Sequence, residues 1–390
     1  MIGLGVLVPA GRVDAAEIAD EIAVLASPEP PAAPPPPSGI SEGDWPARRH
    51  EYWVERRLSA RRNLAELGRG AVQPLLELAL EDDQWVVRID ALTALHEMDA
   101  EDLENVGGQV SGLLAQDHAT AVRYLAARLI RKTGHSDQET RNRLHLLAED
   151  NEPALRMIAA DALGRVGDIN SAPVLIRLLD RETEFAEGLA DREARLSDEE
   201  LRQRENSKMV RLATLRAMGQ LGAAVEVVPA LMARLESDDL NELQTAARAI
   251  GELLAYDLTG RAAWGLAHRR AEIVEEFKGW WQNISRLDPP PAQNEELGFW
   301  MKIVANKDLD ESKRLNAARQ IGRIGEADNL RMAEDLVRVM YDVEIFDIRG
   351  ALAEAAEKFS GIEITPREGR AEWVLEVSDF FRRLRERIEG

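Results

Sequence analysis

Residues 154–167 read Ala154-Leu155-Arg156-Met157-Ile158-Ala159-Ala160-Asp161-Ala162-Leu163-Gly164-Arg165-Val166-Gly167. An arginine is followed by alanine three residues on, a large aliphatic seven on and glycine eleven on. The stretch predicts a helix from Ala154 to Val166. Glycine past the last turn can take the left-handed conformation that caps it. The acidic turn Asp150-Asn151-Glu152-Pro153 precedes it, where negative side chains favour the positive end of the helix dipole. A first helix is expected around Leu144 to Ala148.

Working outward, the same pattern recurs along the chain. Its anchors are Arg57, Arg88, Arg123, Arg156, Arg211, Leu243, Arg314 and Arg349, spaced 31, 35, 33, 55, 32, 71 and 35 residues apart. Alanine stands at the third position after six anchors: Ala60, Ala91, Ala126, Ala159, Ala246 and Ala317. The seventh position carries Leu64, Leu95, Ile130, Leu163, Met218, Ile250, Ile321 and Ala356. Glycine follows at Gly68, Gly134, Gly167, Gly222 and Gly325. A fixed period of this size means a stacked array of helix pairs. Two pairs pack closely only if one row of side chains is small, and the aliphatic row then fills the space between helices. Each pair leaves an apolar face that only its neighbours can cover. The anchor arginines are expected to bridge to aspartates of neighbouring turns, a structural role.

These residues resemble the HEAT-repeat family, over roughly residues 50 to 361. Asp308 with Ser312 to Gly325, and Met209 to Gly222, repeat the theme of residues 154–167. The resemblance implies an all-α, right-handed α-solenoid of about eight helix pairs, an ARM-type superhelix. It does not imply a chemistry, because function resides in sites and not in the fold.

The expected organisation has four parts. Residues 1–15 read as a signal peptide lacking its first residues: Ile2 to Ala10 is apolar, and Val13-Asp14-Ala15 before Ala16 suits a signal peptidase. No positive leader precedes that stretch. Export to the periplasm is favoured, with a cytoplasmic chain as the alternative. Residues 16–39 are a short segment plus a linker, with seven prolines between Pro28 and Pro37 giving a semi-rigid spacer. Residues 40–361 form the solenoid, with insertions near 181–207 and 256–291. Residues 362–390 form an aromatic and basic capping helix. Ser197-Asp198-Glu199-Glu200 in the first insertion is a capping box. The second insertion leads to Trp280-Trp281, and Arg270-Ala271-Glu272 with those tryptophans recurs 100 residues later as Arg370-Ala371-Glu372 with Phe380-Phe381. This segment is similar to paired-tryptophan segments of exported bacterial HEAT-repeat proteins.

Composition excludes several chemistries. The chain has 390 residues, a net charge of −21 and no cysteine. Disulfides, thiolate nucleophiles and cysteine zinc sites are therefore absent. Strong acidity disfavours general binding to phosphate backbones. The run of Arg48, Arg49, Arg56, Arg57, Arg61, Arg62 and Arg69 reads as a solvated helix face. None of the six histidines has metal-ligand spacing, and no phosphate loop or nucleophile elbow appears. No catalytic residue, metal or cofactor is assigned. The expected function is a non-catalytic scaffold for an unidentified protein or peptide. Candidate contacts are Trp264, Trp280, Trp281, Tyr124 and Arg128. A HEAT-like enzyme (DNA-glycosylase-like or lyase-like) and an envelope spacer are the alternatives.

Overall fold

The computed structural model describes residues 15–27, 45–117, 119–190, 196–256, 258, 267–287, 292, 294–324 and 327–389. Every regular element among them is helical. The chain divides into two compact units, Met1–Ala162 and Leu163–Gly390.

The first unit runs α1 (Ala15–Leu25), α2 (Trp45–Glu66), α3 (Arg69–Glu81), α4 (Trp85–Glu97), α5 (Val106–Val110), α6 (Leu113–Gln116), α7 (Thr120–Thr133), α8 (Gln138–Leu147) and most of α9 (Pro153–Val166). In each repeat the anchor arginine lies on the second helix: α4, α7 and α9 here. The segment expected to be held apart by the proline-rich spacer is not separate. Helix α1 packs on α2, burying Leu25 completely. Glu21 pairs with Arg56 at 2.6 Å, and Trp53 Nε1 donates to the Ser27 carbonyl at 2.9 Å. An amphipathic helix with Ile18 and Leu25 on one side cannot stay in water at no cost.

The second unit runs α10 (Ala172–Ala190), α11 (Asp198–Leu221), α12 (Ala224–Arg234), α13 (Leu240–Leu254), α14 (Ala267–Arg286), α15 (Glu295–Ala305), α16 (Glu311–Ile324), α17 (Leu330–Met340), α18 (Phe346–Ser360) and α19 (Arg370–Glu389). The anchors lie on α11, α13, α16 and α18. The first insertion lengthens both helices of its pair, and the capping box is formed: Glu200 N–H donates to Ser197 Oγ at 3.2 Å while Glu200 accepts the Ser197 N–H at 2.9 Å. The second contributes α14, an added helix between two pairs. Helix α14 and the terminal α19 bury side chains at matching positions 100 residues apart, Ile273 with Trp373, Phe277 with Val377 and Ile284 with Leu384. The partial copy in the sequence is thus a shared buried stripe.

All six repeat alanines and all eight residues of the seventh-position row are fully buried, at 0% exposure. Burying a large aliphatic stabilises by about 1.5–3 kcal/mol relative to exposure, and that row repeats in every pair. Gly68, Gly134 and Gly222 take the left-handed conformation, with φ of 60°, 71° and 84°. Gly167 does not: it is needed for space, because a Cβ there would sit 2.4 Å from the Leu163 carbonyl oxygen. Gly325 lies outside the described residues.

The anchors hold consecutive repeats together through their guanidinium groups. Arg57 meets Asp90 at 2.5 Å, Arg88 meets Asp117 at 2.8 Å, Arg123 meets Asp150 at 2.5 Å and Arg211 meets Glu242 at 2.6 Å. In each case the acid belongs to the next repeat. Burial alone would raise the Asp150 carboxyl, but the Glu152 N–H and Arg123 hold it below its ordinary value. Arg211 meets a glutamate where an aspartate was expected, and Arg314 and Arg349 contact backbone carbonyls. Arg314 donates to the Val304 carbonyl at 2.9 Å, and Arg349 donates to the carbonyls of Val343, Arg367 and Glu368 at 3.0, 2.6 and 2.7 Å. There the arginine satisfies carbonyl groups at chain turns, which have no partner inside a helix. Arg156 also donates to two turn carbonyls, those of Asp150 and Asn151.

Candidate functional site: the exposed face of the second helices

In the second unit the second helices α9 and α11, α11 and α13, and α16 and α18 meet through a repeated contact that the sequence pattern did not flag; Gly251 at the end of α13 instead faces the Tyr256 carbonyl. Counting the anchor as position 0, position 8 of one helix meets position 6 of the next. A Cβ built on Gly164 would lie 2.7 Å from Ala217 Cα, and one on Gly219 would lie 2.7 Å from Ala249 Cα. At Gly322 the same contact, to Ala355 Cβ, is a relaxed 3.6 Å. Two small residues therefore let the backbones approach. Gly219→Ala is expected to cost about 1–2 kcal/mol, overpacking being offset in part by better helix propensity. Gly322→Ala is expected to be neutral or stabilising by up to about 1 kcal/mol. Thermal unfolding of both variants checks the contact; a stabilising Gly219→Ala would disprove it.

At 100° per residue, positions 5 and 9 fall between the two contact lines and opposite the buried positions 0, 3 and 7. They form the open face of each second helix. In the second unit that row holds Arg165, Arg216, Arg248, Arg319, Arg323 and Lys358, all exposed, against Glu252 and Glu354. Arg165, Arg248 and Arg319 have no acidic partner among the described residues. This occurs in a chain where acids outnumber bases by 70 to 49. Arg323 is exposed as a residue, but its guanidinium donates to the Gln220 carbonyl. Desolvation there, and then the charge of Arg165, push it below its ordinary value. The ends of α9, α11 and α16 therefore bring two like charges together. Asn241, Gln244 and Ser312 extend the open face of α13 and α16 as exposed polar groups.

The first unit carries the sequence candidates Tyr124 and Arg128 at positions 1 and 5 of α7. Both are half-buried, with the guanidinium carbon of Arg128 5.9 Å from the Tyr124 ring centre. Burial, followed by the charges of Arg128, Lys132 and Arg131, lowers the His96 pKa to about 4, so that imidazole is neutral. A cleft of about 450 Å³ opens between the N-termini of α4 and α7, lined by Asp83, Trp85, Arg88, Ala119, Thr120 and Ala121. Trp85 is 55% exposed there.

The tryptophan candidates divide. Trp280 packs on Tyr256 and Phe277, at 4.9 and 5.9 Å between ring centres, and Trp281 packs on Phe299 at 5.2 Å. Both are half-buried. They point to different neighbours, as adjacent helical residues must, and both fasten α14 to the unit. Trp264 lies outside the described residues.

A turn clasp was not foreseen. Glu296 and Trp300, one helical turn apart on α15, both grip the turn between α11 and α12. Glu296 accepts the N–H groups of Ala224 and Val225 at 2.5 and 2.9 Å, and Trp300 Nε1 donates to the Gly222 carbonyl at 3.0 Å. Burial pushes the Glu296 carboxyl up to about 7. Such a value often marks a catalytic acid, but both oxygens are held by backbone and face no cleft. Glu296 is thus the missing N-terminal cap of α12, supplied from 72 residues away. The signal was present only as a glutamate in an apolar run.

Among the described residues no cluster of histidines and carboxylates could hold a metal ion. No described helix is long and apolar enough to cross a membrane.

These features define an all-α repeat protein whose second helices pair through small residues and are joined by buried ion pairs. Residues 110–188 match the family model described as HEAT repeats. That segment of the chain is therefore built of HEAT repeats. Three solved structures are similar. The complex of CpcE and CpcF of phycocyanin lyase from Nostoc sp. PCC7120 is 18% identical, with 80% of this chain and 94% of that chain covered and a TM-score of 0.37. An engineered protein is 14% identical over 98% of this chain and 97% of its own, with a TM-score of 0.35. The Kap95:Nup1 complex is 12% identical over 96% of this chain and 53% of its own, with a TM-score of 0.33. Likeness at these levels carries no functional weight. No curated protein sequence matches the chain.

Proposed function

We propose that the chain is a non-catalytic scaffold that binds a protein partner along the open face of its second helices. One observation carries this reading: Arg165, Arg248 and Arg319 stand exposed on the open sides of their helices and form no ion pair with an acid among the described residues. A structural spacer gains nothing from unpaired arginines on one face. A HEAT-like enzyme would need reactive groups beside that face. Glu296, whose carboxyl is raised by burial to about 7, is committed to backbone. The exposed edges of Trp280 and Trp281, and the Tyr124–Arg128 pair, are secondary candidate contacts. The proposal of export rests on residues 2–16, of which 2–14 lie outside the described residues.

The test immobilises the full chain and exposes it to nuclease-treated envelope and cytosolic extracts of the native host. A protein retained in stoichiometric amount is the expected result. Retention of nothing from either extract, or turnover of a substrate by the purified chain, would overturn the scaffold.

A further inference from the structure

Resting on the scaffold reading, we infer that the open face of α9, α11, α13, α16 and α18 is a docking site for an acidic, extended segment of a partner protein. The charge pattern argues for that occupant. Arg165, Arg248 and Arg319 lie on the open sides of α9, α13 and α16 and form no ion pair among the described residues, although Asp161 and Glu252 stand one turn from Arg165 and Arg248. At the helix ends, Arg165 acts on Arg323 as a like charge, an arrangement that repels itself until an anion lies between the two. Acids are in excess elsewhere in the chain, so leaving these positions unpaired is not a matter of supply.

A protein segment fits better than a nucleic acid. The row is interrupted by Glu252 and Glu354, which would repel a polymer charged at every unit. Acidic side chains in a peptide can be spaced to avoid them. The exposed amides and hydroxyl of Asn241, Gln244 and Ser312 offer hydrogen bonds to a peptide backbone, as an extended strand requires. The net charge of −21 further opposes a phosphate backbone. Neighbouring helices lie about 8–10 Å apart, and an extended chain covers about 3.3 Å per residue, so about 12 residues would cross four helices.

The probe is therefore a fluorescent peptide of about 12 residues, with glutamate at alternate positions. Its binding to the full chain is followed by anisotropy at two salt concentrations. The triple variant Arg165→Glu, Arg248→Glu and Arg319→Glu changes exposed helix positions, and circular dichroism checks that it folds. A control makes the same charge change at Arg202, Arg382 and Arg385, which are also exposed. Weakening of about tenfold or more in the triple variant, with less than about twofold in the control, is expected. Equal losses in both would mean a diffuse field with no site, and would overturn the inference. So would failure of the unmodified chain to bind the peptide at low salt. A single-stranded oligonucleotide of equal length that binds more tightly than the peptide, and is lost in the same variant, would overturn the choice of occupant. If a natural partner is captured but is indifferent to the triple variant, the scaffold stands and this site falls.

Discussion

Arg211→Ala is expected to lower the stability of the second unit by about 3–5 kcal/mol, the loss found when one member of a buried ion pair is removed. Arg211 and Glu242 are 7% and 4% exposed and meet at 2.6 Å. The guanidinium also donates to the Glu182 carbonyl at 3.1 Å and to Ser207 Oγ at 3.0 Å. Without it the Glu242 carboxylate stays buried, its one remaining side-chain contact a long hydrogen bond from Ser237 at 3.4 Å. The pair itself is not a large net gain, since removing two charges from water costs nearly what their attraction returns. Arg211→Met with Glu242→Leu should therefore recover most of the loss. Urea unfolding of the full chain, followed by tryptophan fluorescence, measures both variants. The two units need not unfold together, so the transition of the second must be resolved. A single-variant loss under about 1 kcal/mol, or a double variant no better than the single, would show that the pair does not join α11 to α13.

Glu296→Ala should cost about 1–3 kcal/mol, because the Val225 N–H loses its side-chain acceptor and the Ala224 N–H keeps only the Gly222 carbonyl at 3.1 Å. The same residue gives the second unit a pH dependence. Its carboxyl is raised from 4.5 to about 7 by burial, outweighing the two N–H donors that favour its charged form. The folded state therefore holds a proton that the unfolded state has released between those values. Its stabilising contribution is complete below about pH 4.5 and is lost as pH rises through 7, by about 3 kcal/mol in all. Glu296→Gln removes the titration and should flatten the profile between pH 5 and 8. The midpoint of unfolding at several pH values decides this. An unchanged slope in Glu296→Gln would assign the dependence to other groups.

The fold was legible because repetition multiplies a weak signal. One helix with alanine at position 3 says little, whereas eight anchors at a near-constant spacing leave few other architectures. The capping box at Ser197 was legible for the opposite reason, being a local device complete within four residues. The recurrence of α14 in α19 could be read as a likeness, but its cause is the buried stripe through positions 273, 277 and 284. Tyr124 and Arg128, named as surface contacts one turn apart, are both half-buried on α7. The register between α11 and α13, and between α16 and α18, depends on which small residues touch.

By itself the sequence determined the helices, their pairing and their buried rows, because these follow from the period of apolar side chains along one chain. Tertiary structure alone decided the rest. It placed Glu296 under a helix end 72 residues away and drew α1 back onto α2. It divided the array into two units inside α9. It also brought Arg165 and Arg323, more than 150 residues apart in the chain, within reach of each other's charge. Periodicity fixes which side of a helix is buried, but an open face shared by several helices exists only once glycine and alanine have set how closely, and in what register, those helices stand.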